Sequence, residues 1–84
     1  MLEEIKDTLR EYILTRFEIE ADDPDFSDDV HLFDYGFVDS LGATEIVVFL
    51  EEHYQIEITQ SDITLYPMNT VSEIAGVVCG KLEK

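Results

Sequence analysis

Apolar residues recur at helical spacing in several parts of the chain. Leu2, Ile5, Leu9, Ile13 and Phe17 follow one another every third or fourth residue, with Tyr12 alongside. That spacing lines one face of a helix. Glu3 and Glu4 at its start and Arg16 at its end suit the helix dipole, so the pattern predicts a first helix over about residues 2–17. No period holds from Glu18 to Asp39. Asp22-Asp23-Pro24-Asp25 is a breaker, while Val30, Leu32, Phe33, Phe37 and Val38 punctuate the rest. A long loop with buried anchors is expected, and loops of this length in compact domains tend to be functional.

Periodicity returns over residues 41–54. Ile46, Val47, Phe49, Leu50 and Tyr54 can form a wide core face. Leu41, Thr44, Glu45, Val48, Glu51 and Glu52 fall toward the other side, which leaves Leu41 and Val48 partly exposed among three carboxylates. The next link is short and polar, with Ile56 and Ile58 as anchors. Thr59 or Ser61 can cap a brief helical turn at Asp62 to Leu65, which Pro67 stops. Thr70-Val71-Ser72-Glu73 reads as a capping box. It opens a last helix to about Leu82, with Val71, Ile74, Ala75, Val78 and Leu82 on one face. Gly76 inside it weakens the helix by about 1 kcal/mol relative to Ala, and close packing on a neighbouring helix would explain it. Three longer helices, one short third helix and a long loop after the first make an all-α, small four-helix bundle. A single domain over 1–84 is expected.

Composition changes this picture mainly through charge. Twenty acids against five bases give a net charge of -15. The bases are Lys6, Arg10, Arg16, Lys81 and Lys84, with none between Phe17 and Gly80, so the acids of that span lack a cationic neighbour in sequence. A one-signed surface steers toward basic partner proteins and disfavours nucleic acid, whose phosphates need a basic face. The chain is 45% hydrophobic, too apolar for a disordered acidic tail. No apolar run has membrane-spanning length, and the acidic start lacks the marks of a signal peptide. A lone cysteine, Cys79, forms no internal disulfide and fits a reducing, cytoplasmic setting; a buried structural thiol is expected.

The candidate chemistry sits at Asp39-Ser40-Leu41, where a hydroxyl meets a helix start. A nucleophilic serine needs a base. His53 lies thirteen residues along the same helix, about 20 Å away, and nothing orients His31. Both histidines read as surface or rim residues, and there is no nucleophile elbow. Autonomous catalysis is not expected, and a small esterase-like enzyme stands only as a rival reading. Ser40 or Asp39 can serve as a helix cap, although neither has a Glu or Gln at N3 to complete a capping box. An EF-hand frame from Asp23 fails, with Asp28 where Gly is needed and Asp34 where Glu is needed. No metal site is predicted.

Residues 32–42, Leu-Phe-Asp-Tyr-Gly-Phe-Val-Asp-Ser-Leu-Gly, resemble the modification site of acyl carrier proteins. The resemblance extends to the first helix, the Glu51-Glu52 helix end, the Ile56/Ile58 link and Thr70-Val71. It implies that Ser40 receives 4′-phosphopantetheine from coenzyme A, attached by a separate phosphopantetheinyl transferase that supplies base and metal. Asp39 is similar to the residue that contacts the metal in that complex. Leu41, Glu45, Val48, Glu51 and Glu52 match positions presented to basic patches on partners. Those partners would be the transferase, an acyl- or aminoacyl-loading ligase, and downstream transferases or synthases, served by a monomer. The main expectation is an acyl carrier for fatty-acid, polyketide or other specialised lipid biosynthesis, with part of the cargo shielded near Phe49, Ile58, Ile63 and Leu65. The alternative is an aminoacyl carrier. Gly36 in Gly-Phe-Val-Asp-Ser, followed by Gly42, resembles D-alanyl carrier proteins. A further alternative is an unmodified acidic interaction module.

Overall fold

In a computed structural model, which describes residues 2–66 and 68–83, the apolar repeat of the first segment forms α1, Leu2–Arg16. Ile5, Leu9 and Ile13 are its buried residues. The helix ends by bending the Ile19 amide back to the Leu14 carbonyl at 2.9 Å, with Glu18 in the left-handed region at φ 55°. This is a Schellman-type ending, in which Gly usually takes the left-handed place.

Three further helices follow: α2 is Ser40–Tyr54, α3 is Gln60–Leu65 and α4 is Val71–Leu82. Helix α4 buries Val71, Ile74, Ala75 and Val78 and packs against α1. Helix α2 adds Ile46 and Leu50 to the same core, with Val47, Phe49 and Tyr54 half-buried at its edge. The described residues are all helix, turn and loop, as the patterning predicts. Pro67, the expected stop, lies outside the described residues.

The long loop is built into the core. Val30, Leu32 and Val38 are buried, and Phe33 and Phe37 pack against the core from its edge. Its backbone is tied to the start of α4: Leu32 N–H donates to Asn69 O at 2.9 Å, and Ser72 N–H to Asp28 O at 3.0 Å. From the other side Arg10 of α1 grips Asp28 with two parallel bonds, Nε to Oδ1 at 2.8 Å and Nη2 to Oδ2 at 2.7 Å. That fork–fork geometry is the strong form of the ion pair. It holds the Asp28 carboxyl below its ordinary range.

Several expectations change. Gly76 is exposed with nothing near a would-be Cβ, so close helix packing does not explain it. Cys79 is half-buried rather than buried, and its thiol donates to Glu83 Oε2 at 3.4 Å, which pushes the thiol pKa up. At Thr70 the cap forms, but Glu73 reaches one residue further back and accepts from the Asn69 amide at 3.0 Å. The complete capping box belongs instead to Thr59 and Asp62 at α3. The acids of the cation-free span do find cations in space: Arg10 meets Asp28, Arg16 meets Glu45 and Lys81 meets Asp62.

Candidate functional site

The start of α2 is assembled from three adjacent residues with different tasks. Asp39 has extended backbone, φ -103° and ψ -175°, and its Oδ1 accepts the Gly42 amide at 2.8 Å. Asp39 is therefore the N-cap, and Ser40 is the first helical residue, one position earlier than the apolar pattern alone indicates. Ser40 is exposed. Among the described residues no hydrogen bond ties its hydroxyl. Because the carboxylate does the capping, the hydroxyl is left exposed to solvent.

Gly42 fixes how closely this corner packs. A Cβ there would lie 2.7 Å from Phe17 Cε1 and 2.8 Å from Val38 Cγ1, closer than a real side chain tolerates. The glycine thus lets the first turn of α2 sit on the end of α1 and on the last buried anchor of the loop. Gly36, at φ 79° with open space around it, makes the left-handed turn that starts this approach. The glycine at 42 was visible in the sequence, but the ring and methyl it accommodates were not.

The residues expected to face partners divide into two groups. Leu41 is 71% exposed and Val48 45% exposed, so the apolar pair does stand outside the core. Glu52 is exposed as well. Glu45 and Glu51 are half-buried and engaged within the chain. Glu45 accepts from Arg16, through Nε at 3.1 Å and through Nη2, while Glu51 Oε2 accepts the Ile58 amide at 2.9 Å. Neither contact has a sequence signal, because the partners lie 29 and 7 residues away.

A cavity of about 230 Å³ opens between α2, α3 and α4, lined by Phe33, Ala43, Val47, Ile63, Met68 and Ile74 among others. Of the four residues expected to shield a cargo, only Ile63 lines it. Phe49 instead stacks on Tyr12, with ring centroids 3.9 Å apart. Ile58 is buried in the core, and Leu65 is 70% exposed. The wall comes from loop residue Phe33 and from Met68, which helical periodicity does not reach.

His31 and His53 are rim residues. His31 Nδ1 accepts the Asp34 amide at 3.1 Å, and His53 stacks on Phe49 at 5.2 Å. Among the described residues there is no cluster of three or more metal-ligating side chains, and no helix is long and apolar enough to cross a membrane.

A family model described as a phosphopantetheine attachment site matches residues 7–78. The D-alanyl carrier protein of Streptococcus uberis is 35% identical over 68 residues, 80% of this chain and 86% of the relative. The D-alanyl carrier protein of Streptococcus mutans is 40% identical over 46 residues, 55% of this chain and 58% of the relative. Both relatives are named D-alanyl carrier protein, which supports the aminoacyl alternative better than the expected role in fatty-acid biosynthesis. The family match runs from within α1 to within α4 and takes in α2, α3 and the corner described above, and the chain belongs to the phosphopantetheine-attachment family, as a carrier protein rather than an enzyme, with 4′-phosphopantetheine held covalently.

Proposed function

We propose that this chain is an aminoacyl carrier of the D-alanyl type, with the arm attached through Ser40. The observation that carries the attachment point is the division of labour at α2, where Asp39 caps the helix and Ser40 stands exposed beside it. Ser40 Oγ would attack the pantetheine-bearing phosphorus of coenzyme A, forming the phosphodiester as the pyrophosphate bond breaks and adenosine 3′,5′-bisphosphate leaves, with the serine proton passing to a base on the transferase. Asp39, oriented by its bond to Gly42, would meet the transferase's metal. The arm, when bound, supplies the thiol that forms the thioester.

Two observations support a small aminoacyl cargo. The relatives carry the name D-alanyl carrier protein. The cavity beside α2, at about 230 Å³, is below the roughly 300–1,000 Å³ of sites that engulf drug-sized ligands and has room for a small group. The outer face of α2, with Leu41, Val48 and Glu52, would dock the transferase and a loading ligase.

The test is loading of the holo protein. Incubated with ATP, D-alanine and a D-alanine–carrier ligase, it should gain one aminoacyl residue, removable by neutral hydroxylamine as a thioester is. Efficient loading by an acyl-carrier synthetase with a fatty acid, and none with D-alanine, would reverse the assignment.

A further inference from the structure

Arg16, contributed by the end of α1, pairs with Glu45 on the outer face of α2. Its guanidinium donates to Glu45 Oε1 from two nitrogens. It also lies over the Phe17 ring, 5.3 Å from the centroid, and Phe17 in turn packs on Gly42. The pair is thus held against the first turns of α2, where Leu41 is exposed and Ser40 begins the helix. Nearly half of the Arg16 side chain is exposed, at 48%, so its charge faces an arriving partner. No other Lys or Arg occurs from Phe17 to Gly80. Lys81, the nearest basic residue beyond, is engaged by Asp62 at 2.8 Å.

We propose that Arg16 is a specificity determinant of this docking face. It neutralises Glu45 and repels a cation placed opposite it. The chain therefore selects partners that meet Leu41 and Val48 with an apolar surface and set their basic residues against Glu52. Discrimination by a repulsive element is a general device, and charges at an interface rim act mainly on the rate of encounter. The inference rests on reading α2 as the docking face behind a Ser40-linked arm.

The test is a double-variant comparison. A broad-range phosphopantetheinyl transferase with coenzyme A serves as the basic partner, and kcat/KM for holo formation is followed by intact mass at low salt. Arg16→Gln should raise kcat/KM about three- to fivefold, the scale of one exposed charge pair. Glu45→Gln leaves the Arg16 cation unopposed and should lower kcat/KM about three- to fivefold, a loss that adding Arg16→Gln should restore. Arg16→Lys retains the charge and should stay close to wild type, which separates charge from packing. These effects should fade at about 0.5 M salt. The proposal is overturned if Arg16→Gln, with an unchanged thermal midpoint, leaves the rate unaltered or lowers it. It is also overturned if Glu45→Gln raises the rate, or if adding Arg16→Gln to it restores nothing. A wild-type chain that gains no mass overturns the reading beneath it, and this inference with it.

Discussion

Asp39 accepts the Gly42 amide, and Ser40, one position later, turns a hydroxyl to solvent. Either residue type can cap a helix, and the sequence left both open. The structure decides it, and the decision has a measurable consequence. Asp39→Ala should cost about 0.5–2 kcal/mol, as loss of a cap does. Ser40→Ala should change stability by less than about 0.5 kcal/mol, as an exposed substitution away from such features does. Urea melts of the two variants give the order, and the reverse order would make Ser40 the cap. Gly42→Ala sets two effects against each other. Helix propensity favours Ala by at most about 1 kcal/mol, while forcing a methyl onto Phe17 and Val38 costs about 1–3 kcal/mol. Overpacking should win, giving a net loss of about 1 kcal/mol by the same measurement.

The three longer helices were legible because each buries a stripe that repeats at helical spacing, and their ends were read to within one residue. The loop's anchors were legible as apolar residues without a period, but their depth was not. Leu32 is as buried as Leu9 and Leu50, and what carries it there is the Asn69 carbonyl and the Arg10–Asp28 grip, contacts between distant parts of the chain. Leu32→Ala should accordingly cost about 2–5 kcal/mol, a core-helix value, where an unanchored loop would lose under 1 kcal/mol. Helix α3 is the opposite case. None of its residues is buried, and it is held by the Thr59–Asp62 capping box and the Asp62–Lys81 pair. The Lys81 ammonium and then the Thr59 amide hold the Asp62 carboxyl down to about 2, against about 3.9 unfolded. A depressed carboxyl stabilises the fold above its unfolded value, and that contribution is lost as pH falls through the folded one. Amide exchange in α3 should therefore quicken, relative to α1 and α4, as pH drops from about 4 toward about 2. Lys81→Ala should quicken it already at neutral pH.

For the molecule as a whole, five bases serve twenty acids. The bases lie near the two ends of the sequence, yet the fold turns Arg10, Arg16 and Lys81 inward to the loop, α2 and α3. Their pairings span 18 to 29 residues and leave no trace in local pattern, which is why the charge map alone overstated how many acids face solvent unopposed. Three such pairs do not offset a net charge of -15, so self-repulsion should dominate. The thermal midpoint should rise as salt is raised from about 10 mM to about 150 mM, and a fall would mean that the pairs outweigh the repulsion. The same charge, with Leu41 and Val48 outside the core, is what a carrier needs to meet several enzymes in turn. Whether the chain does so begins at one atom, Ser40 Oγ. The most direct measurement is intact mass and peptide mapping of the wild-type and Ser40→Ala chains, each co-expressed with a phosphopantetheinyl transferase. The wild type should gain one phosphopantetheine, mapped to Ser40, and Ser40→Ala should gain none while melting like the wild type. An unmodified wild type, or a gain that persists in Ser40→Ala, would contradict the assignment.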